Sequence, residues 1–277
     1  MAFHKDVIAE VEKSPEGPQV GAFFDFDGTV IYGYSAVAFI REQVKRGDLS
    51  PREFMELAVA MTSFGMGNIG FSAMMVGTSQ FMRGISEESH IEFGEELYKK
   101  HIAKLIYPES RALIEAHQRK GHTVAIISSA TPYQVEPAAR DLDIEHVMCT
   151  HFEIEDGVFT GGIERPTCFG PGKVNAAETL ADEHGIDLEQ SYFYSDSDDD
   201  LELLERVGKP RPLNPNRKLT AIAGRRKWPV RRFASRGRAG LMDWTRSIAA
   251  TGSLVTSFAA GLPILALTGS RRQATNF

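Results

Sequence analysis

The chain has 277 residues, 42% of them hydrophobic and 25% charged. That balance excludes a disordered chain and allows one large α/β domain, or a core domain with a smaller insert. Its two cysteines, Cys149 and Cys168, are too few for a zinc site or a disulfide framework, and they fit a reduced, cytoplasmic setting. The net charge of −6 is uneven: residues 209–277 hold 14 Lys and Arg and the single acid Asp243, against 36 acids and 17 bases in residues 1–208. Charges mixed through the N-terminus leave no apolar signal-peptide core.

The first element is "GAFFDF" (21–26), an apolar strand that closes on Asp25 and Asp27. A period of two places both carboxylates on one face, where like charges raise one pKa or call for a cation between them. Residues 35 to about 105 carry helical signals and no strand. "SPREFMELAVAMTSFGM" (50–66) opens on a capping box, Ser50 with Glu53, and has Pro51 at its first helical position. "SEESHIEFGEELYKKHIAKLI" (86–106) reads as a further helix from Ser86. This stretch is rich in Met and Phe (Met55, Met61, Met66, Met74, Met75, Phe64, Phe71, Phe81), and most of these are expected in its own core. The four glycines of "MTSFGMGNIGFSAMMVG" suit an adaptable apolar surface.

A helix stopped by Gly121 leads to the strand "HTVAIISS" (122–129). "TPYQVEPAARDL" (131–142) is a helix with Thr131 as its cap and Pro132 in first place. "HVMCTHF" (146–152) is a strand, and Asp156-Gly157 after it marks a hairpin. The helix "GKVNAAETLADEHG" (172–185), the strand "QSYFYS" (190–195), the helix "DDLELLERVG" (199–208) and a short strand "PRPLN" (210–214) complete the series. Strands alternating with helices predict an α/β fold with a mostly parallel, doubly wound sheet, whose ligands bind at the carboxyl ends of the strands.

Polar groups collect at those ends: Asp25 and Asp27 after the first strand, Ser128 after the second, Lys173 at a helix start, Asp196 and Asp200 after the fourth strand. The run "DSDDD" is not an EF-hand loop, because Leu201 stands where glycine belongs and Val207 where the last glutamate belongs. In this order, D-x-D-G-T, Ser, Lys and D-x-x-x-D resemble the four motifs of the haloacid dehalogenase superfamily of phosphohydrolases, from about Gly21 to Phe233. The helical stretch resembles the C1 cap of its phosphoserine-phosphatase-like branch, subfamily IB.

The resemblance implies a Rossmann-like core over residues 1–34 and 106–235, an all-helical cap over 35–105 inserted after the first strand, and a tail over 236–277. It further implies a Mg²⁺-dependent phosphomonoesterase. Asp25 would be the nucleophile that forms an aspartyl-phosphate, and Asp27 the general acid and base. Ser128 would donate to a phosphoryl oxygen and Lys173 would balance charge. Mg²⁺ would be held by Asp25, the carbonyl of Asp27 and Asp196, with Asp200 orienting a metal-bound water. Gly28 would let the backbone approach the phosphate, Thr29 would brace the loop, and Ser129 and Tyr34 would face substrate. In that branch a glutamate nine residues after the nucleophile meets the substrate ammonium; here Tyr34 occupies the place. An apolar cap and Tyr34 favour a small or lipid-like, non-zwitterionic phosphate monoester over phosphoserine. Phosphoserine hydrolysis, phosphoryl transfer to another acceptor, the phosphatase half of a glycerolipid acyltransferase and a non-catalytic membrane adaptor are the alternatives.

The tail holds 23 uncharged residues, 247–269, between basic flanks, which fits an anionic membrane surface reached from the cytoplasmic side; a helix packed on the core and a linker into a further domain are the alternatives. Basic residues that flank an apolar stretch, without interleaved stacking aromatics, do not fit nucleic acid.

Overall fold

The computed structural model describes residues 2–234. The tail, with the membrane reading attached to it, lies outside them. Among the described residues no helix is long and apolar enough to cross a membrane.

An N-terminal helix, α1 (Ala2–Glu12), was not read from the sequence. Val7 and Val11, four residues apart on its inner face, are buried. Strand β1 follows (Gly21–Phe24), then four helices: α2 (Ser35–Arg46), α3 (Pro51–Gly65), α4 (Phe71–Gln80) and α5 (Glu87–Leu97). The chain continues through α6 (Pro108–Arg119), β2 (Thr123–Ile127), α7 (Pro132–Asp141) and β3 (His146–Met148). A hairpin of β4 (Phe152–Glu155) and β5 (Val158–Ile163) precedes α8 (Pro171–His184). Strand β6 (Tyr192–Ser195), α9 (Leu201–Arg206), β7 (Lys209–Pro212) and α10 (Arg217–Arg226) complete the described chain.

The main sheet has five strands in the order β3-β2-β1-β6-β7, and every pairing is parallel. Strand β1 is central, so the chain moves outward on one side through β2 and β3 and on the other through β6 and β7. That reversal of strand order beside β1 is where a doubly wound sheet opens a crevice. Every residue of β1 and of β6 is buried. Burial on both faces is why these strands read as unbroken apolar runs. Pro210 and Pro212 sit in β7, the edge strand, where missing N–H donors cost least.

Several local expectations hold. Glu53 accepts from the Ser50 N–H at 2.8 Å, and the Ser50 hydroxyl accepts from the Glu53 N–H at 3.3 Å, completing the capping box of α3. Asp156 and Gly157 both have positive φ, 50° and 74°, which is the turn that a two-residue hairpin requires.

Others are corrected. The first strand stops at Phe24 rather than Phe26, because the chain wraps around the Phe26 carbonyl, which accepts from the N–H groups of Val30 and Ile31 at 2.8 and 3.0 Å. Asp25 and Asp27 are therefore brought together by a tight loop, not by the pleat of a strand. The expected strand over 146–152 divides into β3 and the start of a separate two-stranded sheet. The helix expected over 86–106 becomes α5, a π-turn (Tyr98–Ile102) and a 3₁₀ turn (Ala103–Leu105). The widened turn keeps Leu97, Tyr98 and Ile102 buried together.

The two chain segments that enter and leave the four-helix stretch run side by side. Tyr32 N–H donates to the Leu105 carbonyl at 2.8 Å and Tyr107 N–H to the Val30 carbonyl at 3.0 Å. Main-chain bonds also join this stretch to the hairpin: Gly84 N–H to Phe159 O (2.9 Å), Phe159 N–H to Ile85 O (3.0 Å) and Glu87 N–H to Gly157 O (2.9 Å). Phe71 of α4 stacks on Phe169, centroids 4.4 Å apart, in the loop before α8.

Candidate active site

The parallel register brings the ends of β1, β2 and β6 to one edge of the sheet. Phe24 pairs with Ile126 and with Tyr194, so the next residues along each strand emerge side by side. Asp25 leaves β1, with its N–H still bonded to the Tyr194 carbonyl at 2.9 Å. Ser128 and Ser129 leave β2, and Asp196 leaves β6.

Lys173, in the first turn of α8, joins two of these ends. Its ammonium lies 2.8 Å from Asp25 Oδ1 and 2.7 Å from Asp200 Oδ1, and all three side chains are under 10% exposed. Asp200 is held from its other side by the Ser195 hydroxyl, which donates to Oδ2 at 2.6 Å. Both oxygens of Asp200 are thus engaged by protein, whereas Asp25 Oδ2 takes no hydrogen bond among the described residues.

The Ser128 hydroxyl is buried and accepts from the Ala130 N–H at 3.2 Å, so its own proton is left to donate. Its N–H is tied to the Met148 carbonyl at 2.9 Å. Ser129 is half-buried beside it. Tyr34 is half-buried immediately before α2. Burial holds its phenol above the ordinary value, with the carboxylates of Asp196, Asp27, Asp25 and Asp199 adding to the effect.

Gly28 also serves the packing of the site. Its φ is +77°, and a Cβ there would lie 2.5 Å from Asp196 Oδ2. The missing side chain makes room for the Asp196 carboxylate, a neighbour 168 residues further along the chain. Thr29 braces the loop through its carbonyl, which accepts from the Ser110 hydroxyl at 2.6 Å, while its own Oγ1 is buried without a hydrogen-bond partner.

Four further residues shape the site and were not singled out beforehand. Ser35, the first residue of α2, donates to Asp27 through its N–H (Oδ1, 2.7 Å) and its hydroxyl (Oδ2, 3.1 Å). Gln134, on α7, donates to the Ser35 hydroxyl at 2.9 Å. Ser195 anchors Asp200 as above. Asn216, the cap of α10, donates its N–H to the Asp196 carbonyl at 2.8 Å and its amide to Asp198 at 2.6 Å, which ties down the acidic loop. Asn216 carries a sequence signal, an N-cap before "RKL", and Ser35 stands at the start of a helical pattern. Gln134 carries one as well, three residues after the Thr131 cap in the spacing of a capping box, whereas nothing local marks Ser195.

Burial dominates the protonation of this cluster. It pushes Asp25 up to about 7, against the pull of Lys173 and with the push of Asp200. It raises Asp27 to about 6, although the two bonds from Ser35 oppose it. Asp196 is held well above the carboxylate range by burial and by the charges of Asp25 and Asp200. Lys173 is held in its charged form, because Asp200 and Asp25 outweigh the cost of burying it. Crowded oxygen donors served by one ammonium suit a second, hard cation. Among the described residues no three His, Cys, Asp or Glu side chains form a ligand cluster. Two carboxylates and a main-chain carbonyl suit Mg²⁺, which keeps several waters.

Comparison with known proteins finds the following relatives. The family profile of haloacid dehalogenase-like hydrolases matches residues 22–205. A Streptomyces azureus protein, described as an inhibition of morphological differentiation protein, is 34% identical over 78% of this chain and 79% of its own length. A phosphoserine phosphatase of Mycobacterium tuberculosis is 33% identical over 76% of this chain and 70% of its own. A solved structure of a Bordetella pertussis protein of unknown function superposes with a TM-score of 0.71 at 25% identity, covering 77% of this chain and 98% of its own.

Proposed function

This chain belongs to the haloacid dehalogenase-like hydrolases, and from that membership we propose that it is a Mg²⁺-dependent phosphomonoesterase acting through an aspartyl-phosphate. Residues 35–105 would be its cap, and residues 1–34 with 106–235 its catalytic core. The observation that carries the reading is the buried Asp25–Lys173–Asp200 arrangement, in which one oxygen of Asp25 is fixed by an ammonium and the other is free to attack.

Asp25 Oδ2 would form a bond to phosphorus as the bond from phosphorus to the leaving oxygen breaks. Asp27 would give that oxygen its proton, then take one from the water that releases phosphate from Asp25. The Ser128 hydroxyl would donate to a phosphoryl oxygen, and Lys173 would offset charge that builds there. Asp200 would fix Lys173 through one oxygen while the Ser195 hydroxyl holds the other. Asp25, the Asp27 carbonyl and Asp196 would hold Mg²⁺, which when bound supplies neutralisation of the phosphoryl charge.

For substrate, Tyr34 in place of a carboxylate, with the apolar contacts of Phe64 and Phe71 of the cap with Phe169 of the core, supports an ester without an ammonium group. Phosphoserine is the second reading, favoured by the name of the Mycobacterium tuberculosis relative. Turnover of p-nitrophenyl phosphate with and without Mg²⁺, followed by a panel of metabolite and lysophospholipid phosphates, tests both. Mg²⁺-dependent release of phosphate is expected, with phosphoserine a poor member of the panel. No turnover removes the phosphatase reading; a kcat/KM for phosphoserine well above the rest installs the second.

The raised carboxyl groups give the metal a pH signature. Asp25 and Asp27 keep protons up to about 7 and about 6 in the folded, metal-free chain, whereas unfolded carboxyls lose theirs near 4. Metal-free stability therefore falls as pH rises through that window, and Mg²⁺ must displace the remaining protons to bind. The gain in Tm on adding Mg²⁺ is expected to grow from pH 5.5 to 7.5 and to shrink sharply in Asp196→Asn. Melting curves check this; a gain that ignores pH and survives the substitution removes the assigned ligands.

A further inference from the structure

We propose that Ser35 and Gln134 are positioning residues that clamp the Asp27 carboxyl for proton transfer to the leaving group. This rests on the phosphatase reading above and assigns it two residues outside the strand-end motifs.

The direction of every bond in the chain of contacts is settled by chemistry. Gln134 Oε1 accepts from both the N–H and the hydroxyl of Thr131, at 2.8 and 2.9 Å. A carbonyl oxygen so placed fixes the amide, and Nε2 must be the end that meets the Ser35 hydroxyl at 2.9 Å. The Ser35 oxygen therefore accepts from Gln134, and its single proton is left for Asp27 Oδ2 at 3.1 Å. The Ser35 N–H supplies Oδ1 at 2.7 Å. Two donors from one residue on two oxygens of one carboxyl hold its plane as well as its position. Each oxygen retains a lone pair for the proton it must carry. Ser35 is fully buried and Gln134 is 7% exposed, so water does not compete for these bonds.

A bland account exists: Asp27 could simply cap the N-terminus of α2, where Tyr34 offers no side-chain cap. That account needs only the Ser35 N–H. It has no use for the hydroxyl, nor for the bond that Gln134, whose oxygen completes the capping box of α7, sends from its Nε2 to that hydroxyl 99 residues away. The clamp needs both. It also places the first residue of the inserted helices directly on the proposed acid, so the seating of α2 and the aim of Asp27 are one geometric fact.

The test compares two leaving groups in the full chain with Mg²⁺. An alkoxide needs a proton to depart, while 2,4-dinitrophenolate does not. kcat/KM stops at the first irreversible step, so it reports departure and not the later attack of water. Ser35→Ala is expected to lower kcat/KM by roughly 10- to 100-fold for the best alkyl phosphate of the panel, within the span that general acids supply, and by under about 3-fold for 2,4-dinitrophenyl phosphate. Gln134→Leu should shift the same ratio less, and Ser35→Thr should restore it. Partial unfolding lowers both rates alike, so the ratio is immune to it. Equal losses on both substrates, or no loss, overturn the clamp while leaving the phosphatase reading standing. A wild type that cleaves only the dinitrophenyl ester has no working acid, which also overturns the clamp; one that cleaves neither ester removes both readings.

Discussion

Asp25→Asn is expected to abolish turnover and to leave the protein folded. The amide keeps the size and shape of the carboxyl but cannot attack phosphorus. With the covalent route closed, kcat should fall at least about 1,000-fold, some 4 kcal/mol of barrier. The fold should tolerate the change for two reasons visible in the site. Lys173 keeps Asp200 at 2.7 Å, so no cation is stranded. Burial already presses Asp25 toward its neutral form, up to about 7, so replacing it with a neutral amide relieves that penalty. A Tm within a few degrees of wild type, with no phosphate burst, is the expected pair of results. More than a tenth of the wild-type rate would remove Asp25 as nucleophile.

Lys173→Met acts on both activity and stability. Asp25 and Asp200 would then lie buried near each other, with the ammonium that separates them gone and no other basic group within salt-bridge distance of either among the described residues. Removing one partner of a buried ion network typically costs 3–5 kcal/mol, roughly 10 °C of Tm for a chain of this size. Unlike the Asn substitution, this penalty depends on pH with a definite sign. Acid protonates Asp25, which burial already raises to about 7, so the deficit in Tm should narrow at pH 5.5 and widen at pH 7.5. Turnover should fall by at least about 100-fold, because the phosphoryl charge loses its fixed counter-ion. A Tm unchanged at pH 7.5 would mean that Lys173 is not the partner that makes this cluster bearable.

How much of this could be read from the chain alone follows from the range of each interaction. The capping box at Ser50, the Asp156-Gly157 turn and the alternation of strands and helices are local, and they were legible. So was the gathering of Asp25, Ser128 and Asp196 at one edge, because a parallel sheet carries every strand end to the same side. The tight loop at Phe26 was not legible, since "GAFFDF" is apolar past the point where the strand stops. The bond from Gln134 to Ser35 and the seat of Asp196 against Gly28 join positions about a hundred residues apart or more, and only packing brings them together. Gly28 shows the limit well: its residue type is legible as meaningful, but the Asp196 carboxylate it makes room for is not.

The main-chain ladder between the hairpin and residues 84–87 bears on how this protein could be taken apart. Two side-by-side linkers at Tyr32 and Leu105 look like natural places to cut, as if the helices between them were an interchangeable part. They are not, because the hairpin, which lies more than 45 residues beyond the second linker, is stitched to them backbone to backbone. Grafting residues 35–105 onto another core would carry away half of that ladder and leave an unpaired edge on each piece. The portable unit is discontinuous, the helices together with β4 and β5. An exchange of specificity between relatives, by recombination in nature or in the laboratory, has to move both segments at once.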